Sequence, residues 1–164
     1  MVGLPASGKS TRVDAMCDMD LDAFVYSTDA FIQKAAKQFD STYNEMFSDN
    51  IKAATASMNE MLDVAMSSGM NVIWDQTNLS VKKRVSIINK MKSAGYKVEC
   101  ECFMPPETPA DFSAWKGRLN NRPGKTIPKN ILDSMQETFV YPSTDEGFSK
   151  TTFWDIYGQE MRKS

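Results

Sequence analysis

Gly3-Leu4-Pro5-Ala6-Ser7-Gly8-Lys9-Ser10 is the stretch that decides how the rest of this chain is read. It fits the pattern G-x-x-x-x-G-K-[ST] at every fixed position, the pattern of a phosphate-binding loop. The glycines let the backbone curl so that N–H groups converge on phosphate oxygens. The helix that follows adds its positive N-terminal end. Gly3, Ser7, Gly8, Lys9, Ser10 and Thr11 are therefore the candidates for holding a nucleotide. Lys9 would place a point charge on the β- and γ-phosphates of ATP, and the Ser10 hydroxyl would ligate Mg²⁺. The alternative is a Gly-rich turn ahead of a helix, which the surrounding strand–loop–helix context disfavours.

Working outward, only Met1 and Val2 precede the loop. Such a loop ordinarily follows a full buried strand, so a few residues are expected to be missing from the start of the sequence; the alternative is a short first strand. Downstream, the apolar run 23–27 reads as a buried strand, with a helix beginning near Asp29. Residues 43–68 read as a long amphipathic helix, with Ile51, Ala54, Met58, Met61, Leu62 and Ala65 at spacings of three and four. Gly69 closes it. Asn71–Trp74 is a further strand, Ser80 caps a helix to about Ala94, and 96–104 is rich in strand formers. Helices around 110–118 and from Pro128 to 138 follow, then a last strand over 151–157. Strands alternate with helices throughout, which predicts an α/β fold of the phosphate-loop kinase type with a parallel sheet and helices on both faces. At 164 residues the chain is expected to be one domain, with a lid at about 118–127.

Composition narrows the chemistry. There is no histidine, which excludes His-based triads and His metal sites, so a general base must be another side chain. The net charge of −2 and pI of about 5.2 are unlike a tight nucleic-acid binder, so any nucleic acid would be gripped over a few nucleotides. No apolar run approaches the ~20 residues of a membrane span. The N-terminus lacks the basic flank and apolar core of a signal peptide. Three cysteines that cannot all pair fit a reducing cytoplasm, and a cytoplasmic chain with no membrane partner is expected.

Two acids sit at the carboxyl ends of predicted strands, where open α/β sheets bind ligands. Asp29 is a candidate general base for an acceptor hydroxyl, or else a helix N-cap. Asp75 is a candidate for contact with the phosphate-loop hydroxyl, the metal or the phosphates, or else a turn residue. Arg118 and Arg122 are four apart beside a polar Pro-Gly loop, and the spacing can place both guanidinium groups on one side over a transferring phosphoryl group. Lys125 can add charge there. The alternative is a solvated basic helix end.

Taken together, these motifs resemble the polynucleotide 5′-hydroxyl kinases, both the phage enzyme and the kinase half of the animal polynucleotide kinase-phosphatases. The resemblance spans nearly the whole chain. It runs through Gly3–Thr11, Ser27-Thr28-Asp29-Ala30-Phe31, and Asp75-Gln76-Thr77-Asn78-Leu79-Ser80 with Arg84. It continues in Arg118-Leu119-Asn120-Asn121-Arg122 with Pro128, and in Phe139–Phe148 with Tyr141-Pro142 and Glu146-Gly147-Phe148. It implies ATP with Mg²⁺ and a nucleic-acid 5′-hydroxyl end as acceptor. Lys9 and Ser10 would hold phosphate and metal, and Asp29 would activate the acceptor. Arg118 and Arg122 would clamp the ATP phosphates, while Asp75, Thr77 and Asn78 organise the site or bind the acceptor. One departure stands out: the phage enzyme's acceptor-binding arginine corresponds here to Ile32. Related phosphate-loop kinases of small alcohols, including zeta-toxin-like enzymes acting on a nucleoside, sugar or sugar nucleotide, use similar parts and are the second reading. A nucleotide-binding regulatory protein is a third, against which the complete loop, Asp29 and the arginine pair argue. Oligomeric state is not legible.

If a missing phosphate contact is what distinguishes Ile32, Ile32→Arg should tighten oligonucleotide binding. Lys9, read as a point charge without a packing role, should be replaceable by alanine with the fold intact. Lys9→Ala should nonetheless abolish transfer of radiolabel from ATP to any acceptor.

Overall fold

The computed structural model describes residues 1–20, 22–122 and 125–161, apart from the side chains of residues 48 and 49. Pro123 and Gly124 of the expected lid lie outside the described residues. The elements run α1 (Lys9–Met19), β1 (Phe24–Tyr26), α2 (Thr28–Gln38), α3 (Tyr43–Ser67), β2 (Val72–Trp74), α4 (Val81–Ser93), β3 (Glu99–Phe103), α5 (Pro109–Asn120), α6 (Lys129–Glu137), a 3-10 turn (Thr144–Glu146), β4 (Lys150–Trp154) and β5 (Glu160–Met161). No helix of the described residues is long and apolar enough to cross a membrane.

The chain forms two compact units. The first comprises Met1–Thr11, Thr77–Asn120 and Ile127–Ser164; the second comprises Arg12–Gln76 and Asn121–Thr126.

In the first unit β3 pairs in parallel with β4, from Glu99 opposite Lys150 to Phe103 opposite Trp154. Val2 makes a single parallel bridge to Cys102 on the other side of β3. The alternation of Cys100 and Cys102 puts both thiols into one apolar cluster with Val2, packed by Phe139, Phe148 and Phe153. Burial pushes the Cys100 thiol up to about 11 and the Cys102 thiol up to about 12, so they serve as small hydrophobes. β5 has no counterpart in the sequence reading. It folds back antiparallel onto β4 because Asp155 Oδ1 accepts from the N–H of Tyr157 and of Gln159, both at 2.8 Å, and turns the chain.

In the second unit β1 and β2 are parallel, with Tyr26 opposite Trp74. Their rings stack at 4.0 Å. Helix α3 starts with a capping box: Glu45 N donates to Thr42 Oγ1 and Thr42 N donates to Glu45 Oε2. Ala54, Met58, Leu62 and Ala65 are buried, as their spacing requires, but Met61 is 49% exposed and does not belong to the inward stripe. Parallel pairing with intervening helices confirms the α/β class. Pro128 stands at the N-cap position of α6 rather than inside its first turn.

One buried ion pair ties distant segments of the first unit. The Arg84 guanidinium donates through Nε and Nη2 to the two carboxylate oxygens of Glu146, each at 2.7 Å. The side chains are 1% and 5% exposed. Nη1 donates to the carbonyls of Asn78 and Leu79. Burial opposes the Glu146 charge, but the Arg84 contact outweighs it and holds the carboxyl below the usual range. Segment 78–84 is thereby braced by Glu146 within the first unit. Because the folded pKa is lowered, the contribution is present above the unfolded value and is lost as pH falls through the folded one. Arg84→Met should cost about 3–5 kcal/mol, since it strands a buried carboxylate. Arg84→Met with Glu146→Leu should cost clearly less, and urea unfolding of the single and double variants at neutral pH checks the difference.

Candidate active site

The phosphate-binding loop is built wholly within the first unit. Val2 N donates to Glu101 O and Phe103 N to Val2 O, both at 2.8 Å, and Gly3 N donates to Thr77 O at 3.0 Å. These bonds lay Gly3 directly on Phe103. A Cβ on Gly3 would stand 2.8 Å from Ser7 Oγ and 2.9 Å from Phe103 Cβ, so only glycine fits. The loop then turns through Ala6, whose φ of 58° is left-handed, to Gly8 at φ 107°. Leu4 is buried with Leu79 and Trp115, and Trp115 Nε1 donates to Pro5 O at 2.7 Å. Lys9 curls back into the loop: Nζ donates to Gly3 O at 2.9 Å and Leu4 O at 2.7 Å. The expectation that Lys9 has no structural role is therefore corrected. Its ammonium staples the loop from inside, and Lys9→Ala removes that charge from the two carbonyls. Ser7 is buried, whereas Ser10 and Thr11 at the start of α1 are exposed.

Thr77 and Asn78 belong to this unit. Thr77 contributes its carbonyl to Gly3, as described. Asn78 is 4% exposed, has a φ of 48°, and donates from Nδ2 to Met1 O at 2.8 Å. Its amide is thus committed to the backbone leading into the loop. Arg118 lies in α5 and donates from Nη1 to Ile156 O at 2.6 Å. Its Nε and Nη2 are buried and lack a hydrogen-bond partner. A close-walled glycine loop with a buried ammonium inside it fits a polyphosphate ligand.

The second unit carries the acid. Ser27, not Asp29, caps α2: its side chain accepts from Ala30 N. The N-cap alternative for Asp29 is thereby removed. Asp29 instead projects from the first turn of α2, just past the carboxyl end of β1, with its side chain 52% exposed. Tyr43 Oη donates to Asp29 Oδ1 at 2.6 Å and Lys125 Nζ to Oδ2 at 2.5 Å. Lys125 is 6% exposed at its side chain and sits 3.8 Å above the Tyr43 ring. Burial opposes the Asp29 charge. The bond and charge of Lys125, the Tyr43 hydroxyl and the Arg122 charge outweigh that, so the carboxyl lies below its usual range. Burial also pulls the Lys125 ammonium below the usual lysine value; Arg122 adds to that, while Asp29 and Asp75 oppose it. Burial and then the neighbouring carboxylate push the Tyr43 phenol far up.

Helix α5 ends at Asn120, so Arg122 lies beyond it and the helical spacing that was to align it with Arg118 does not apply. Asp75 N donates to Tyr26 O at 2.9 Å, fixing Asp75 beyond β2. Gln76 Nε2 donates to Thr28 Oγ1 at 3.2 Å, which ties the end of β2 to the residue before Asp29. Tyr43 was read only as a helix start; it lies 14 residues from Asp29 and Lys125 lies 96 away, and no local pattern links them. Ile32 is 0% exposed, so the expectation for Ile32→Arg is corrected: the substitution buries a guanidinium in an apolar site and destabilises the fold.

Gly3→Ala tests the loop directly. Overpacking against Phe103 and Ser7 should cost about 1–3 kcal/mol and weaken nucleotide binding at least ~10-fold. Thermal melting and calorimetric titration with a slowly hydrolysed ATP analogue measure the two effects.

A family model described as an AAA domain (AAA_33) matches residues 1–142, most of the chain and all of the phosphate-binding loop. The chain belongs to this family of P-loop domains, and its coarse activity is that of a P-loop kinase or NTPase.

Proposed function

We propose that this protein transfers the γ-phosphoryl group of ATP to a 5′-hydroxyl end of DNA or RNA. The observation that carries the reading is Asp29: a half-exposed carboxylate at the carboxyl end of a parallel strand, not used as a cap, in a chain with a complete phosphate-binding loop and no histidine. Lys9 holds the β- and γ-phosphates, exchanging its loop carbonyls for phosphate oxygens. Ser10 would hold Mg²⁺, which when bound neutralises charge on those oxygens. Asp29 orients the acceptor hydroxyl and takes its proton as the new O–P bond forms and the bond to the β-phosphate oxygen breaks, releasing ADP. A carboxyl with a lowered pKa suits this role when the transition state is loose, because the proton then moves late. Arg118 and Arg122 contribute positive charge toward the transferring group, and Asp75, Thr77 and Asn78 support the site.

The second reading is a kinase of a small alcohol such as a nucleoside, sugar or sugar nucleotide. The acidic pI of about 5.2 favours it. Incubating the protein with radiolabelled ATP and either 5′-hydroxyl oligonucleotides or a panel of small alcohols separates the two.

Asp29→Asn should keep ATP affinity and the helix cap, which Ser27 supplies, but should lower the melting temperature, because the buried Lys125 ammonium loses its carboxylate partner. It should lose transfer by ~10²–10⁴-fold, the usual loss of a general base. Unchanged turnover would reassign the role, with Asp75 next in line.

A further inference from the structure

Among the groups around Asp29, two have no role in the reading above. Tyr43 and Lys125 occupy one lone pair on each carboxylate oxygen, at 2.6 and 2.5 Å. A carboxylate offers about four such sites, and Asp29 is half exposed, so room remains for a third donor on the open side. Lys125 is nearly buried, and its ammonium is also held over the Tyr43 ring. A second contact joins the same two parts of the chain: Asn44 Nδ2 donates to Thr126 O at 3.3 Å. Lys125 and Thr126 follow Arg122 in the sequence, and all three fall in the same unit as α2 and α3.

We infer that Lys125 and Tyr43 are positioning residues for phosphoryl transfer: they fix the orientation of the Asp29 carboxylate and bind the segment that carries Arg122 to the acid that receives the acceptor. The inference rests on Asp29 being the base. Tyr43 sets the rotation of the carboxylate through Oδ1, and Lys125 locks Oδ2. The lone pairs left over are then the ones that meet the acceptor hydroxyl, so its line of approach is set before it binds. Because one lysine serves both the acid and the arginine segment, the acceptor side and a phosphate-side cation are placed together. During the reaction the acceptor proton passes to Asp29 and from there to water, while Lys125 and Tyr43 keep their own protons.

The charged and titratable groups facing Asp29 are Lys125, Tyr43 and Arg122, and those facing Lys125 are Asp29, Arg122 and Asp75. Removing Lys125 takes away the cation that favours ionised Asp29, so the carboxyl must titrate at higher pH and the acid limb of the rate profile must move up with it. The experiment compares wild type, Lys125→Met, Lys125→Arg and Tyr43→Phe in two ways. Carbon-detected NMR follows the Asp29 carboxyl against pH in the free protein. Single-turnover transfer from ATP to a 5′-hydroxyl oligonucleotide is then measured across the same pH range.

Lys125→Met should raise the Asp29 midpoint and the acid limb by about 1 unit or more. It should also lower the plateau rate ~10-fold or more through loss of alignment. Lys125→Arg should restore most of both, and Tyr43→Phe should show smaller changes in the same direction. An unmoved Asp29 midpoint in both Lys125→Met and Tyr43→Phe overturns the inference, as does an unmoved rate profile in variants whose midpoint has shifted. Failure of the underlying reading looks different: either Asp29→Asn would transfer at the wild-type rate, or oligonucleotides would go unlabelled whatever residue stands at 125.

Discussion

The phosphate-binding loop hangs from three backbone hydrogen bonds, Val2 N to Glu101 O, Phe103 N to Val2 O and Gly3 N to Thr77 O. Each is worth only about 1 kcal/mol net, too little to hold a strained turn alone. What makes them sufficient is the burial of Val2 against Cys100 and Cys102, which lets the short pairing register uniquely. Once Val2 is in register, Gly3 must lie on Phe103, the chain has no room for a Cβ, and the turn through Ala6 brings Lys9 back over the carbonyls of Gly3 and Leu4. The loop's curl is thus held by its own residues, with the Lys9 ammonium inside it.

Much of this was legible in the sequence because it is local. The eight-residue motif announces the loop. Spacings of three and four announce α3, and glycines mark helix ends through left-handed backbone at Gly69 and Gly95. The carboxyl-end placement of Asp29 follows from a strand and its next turn. What escaped was non-local or decided by competition between neighbours. Ser27 and Asp29 are both good caps, and only the folded backbone shows that Ser27 takes the position. Met61 fits the helical period nearly as well as Leu62 does, but it falls outside the inward stripe of Ala54, Met58, Leu62 and Ala65 and stays exposed while Leu62 is fully buried. The partners of Asp29 come from a helix start and from a polar loop far along the chain, and nothing in their local surroundings marks them. The parting of Arg122 from the helix of Arg118 turns on where α5 stops, which propensity settles poorly.

The Asp29 cluster also illustrates why a buried lysine is tolerated. Moving an ammonium out of water costs several kcal/mol, and burial accordingly pulls the Lys125 pKa down. The cost is offset by a short contact to a carboxylate and by the face of an aromatic ring. The Asp29 end of the pair stays open to solvent, which lowers the desolvation cost of the carboxylate and leaves it accessible. Arg84–Glu146 is the opposite design, closed at both ends and with every guanidinium nitrogen satisfied. One pair is closed off inside the fold; the other holds a half-exposed carboxylate in place while leaving it reachable.

The stacking of Trp74 on Tyr26 has an optical consequence. Of the three tryptophans in the chain, Trp115 and Trp154 lie in the first unit and Trp74 alone lies in the second. Its indole Nε1 donates to Gln76 Oε1, and the same Gln76 side chain holds Thr28, the neighbour of Asp29. A shift in that short relay changes the polarity around one indole ring and the ring-to-ring geometry with its tyrosine. With Trp115 and Trp154 replaced by phenylalanine, the emission of the remaining indole becomes a built-in fluorophore for the surroundings of the acid, readable in real time and without a label.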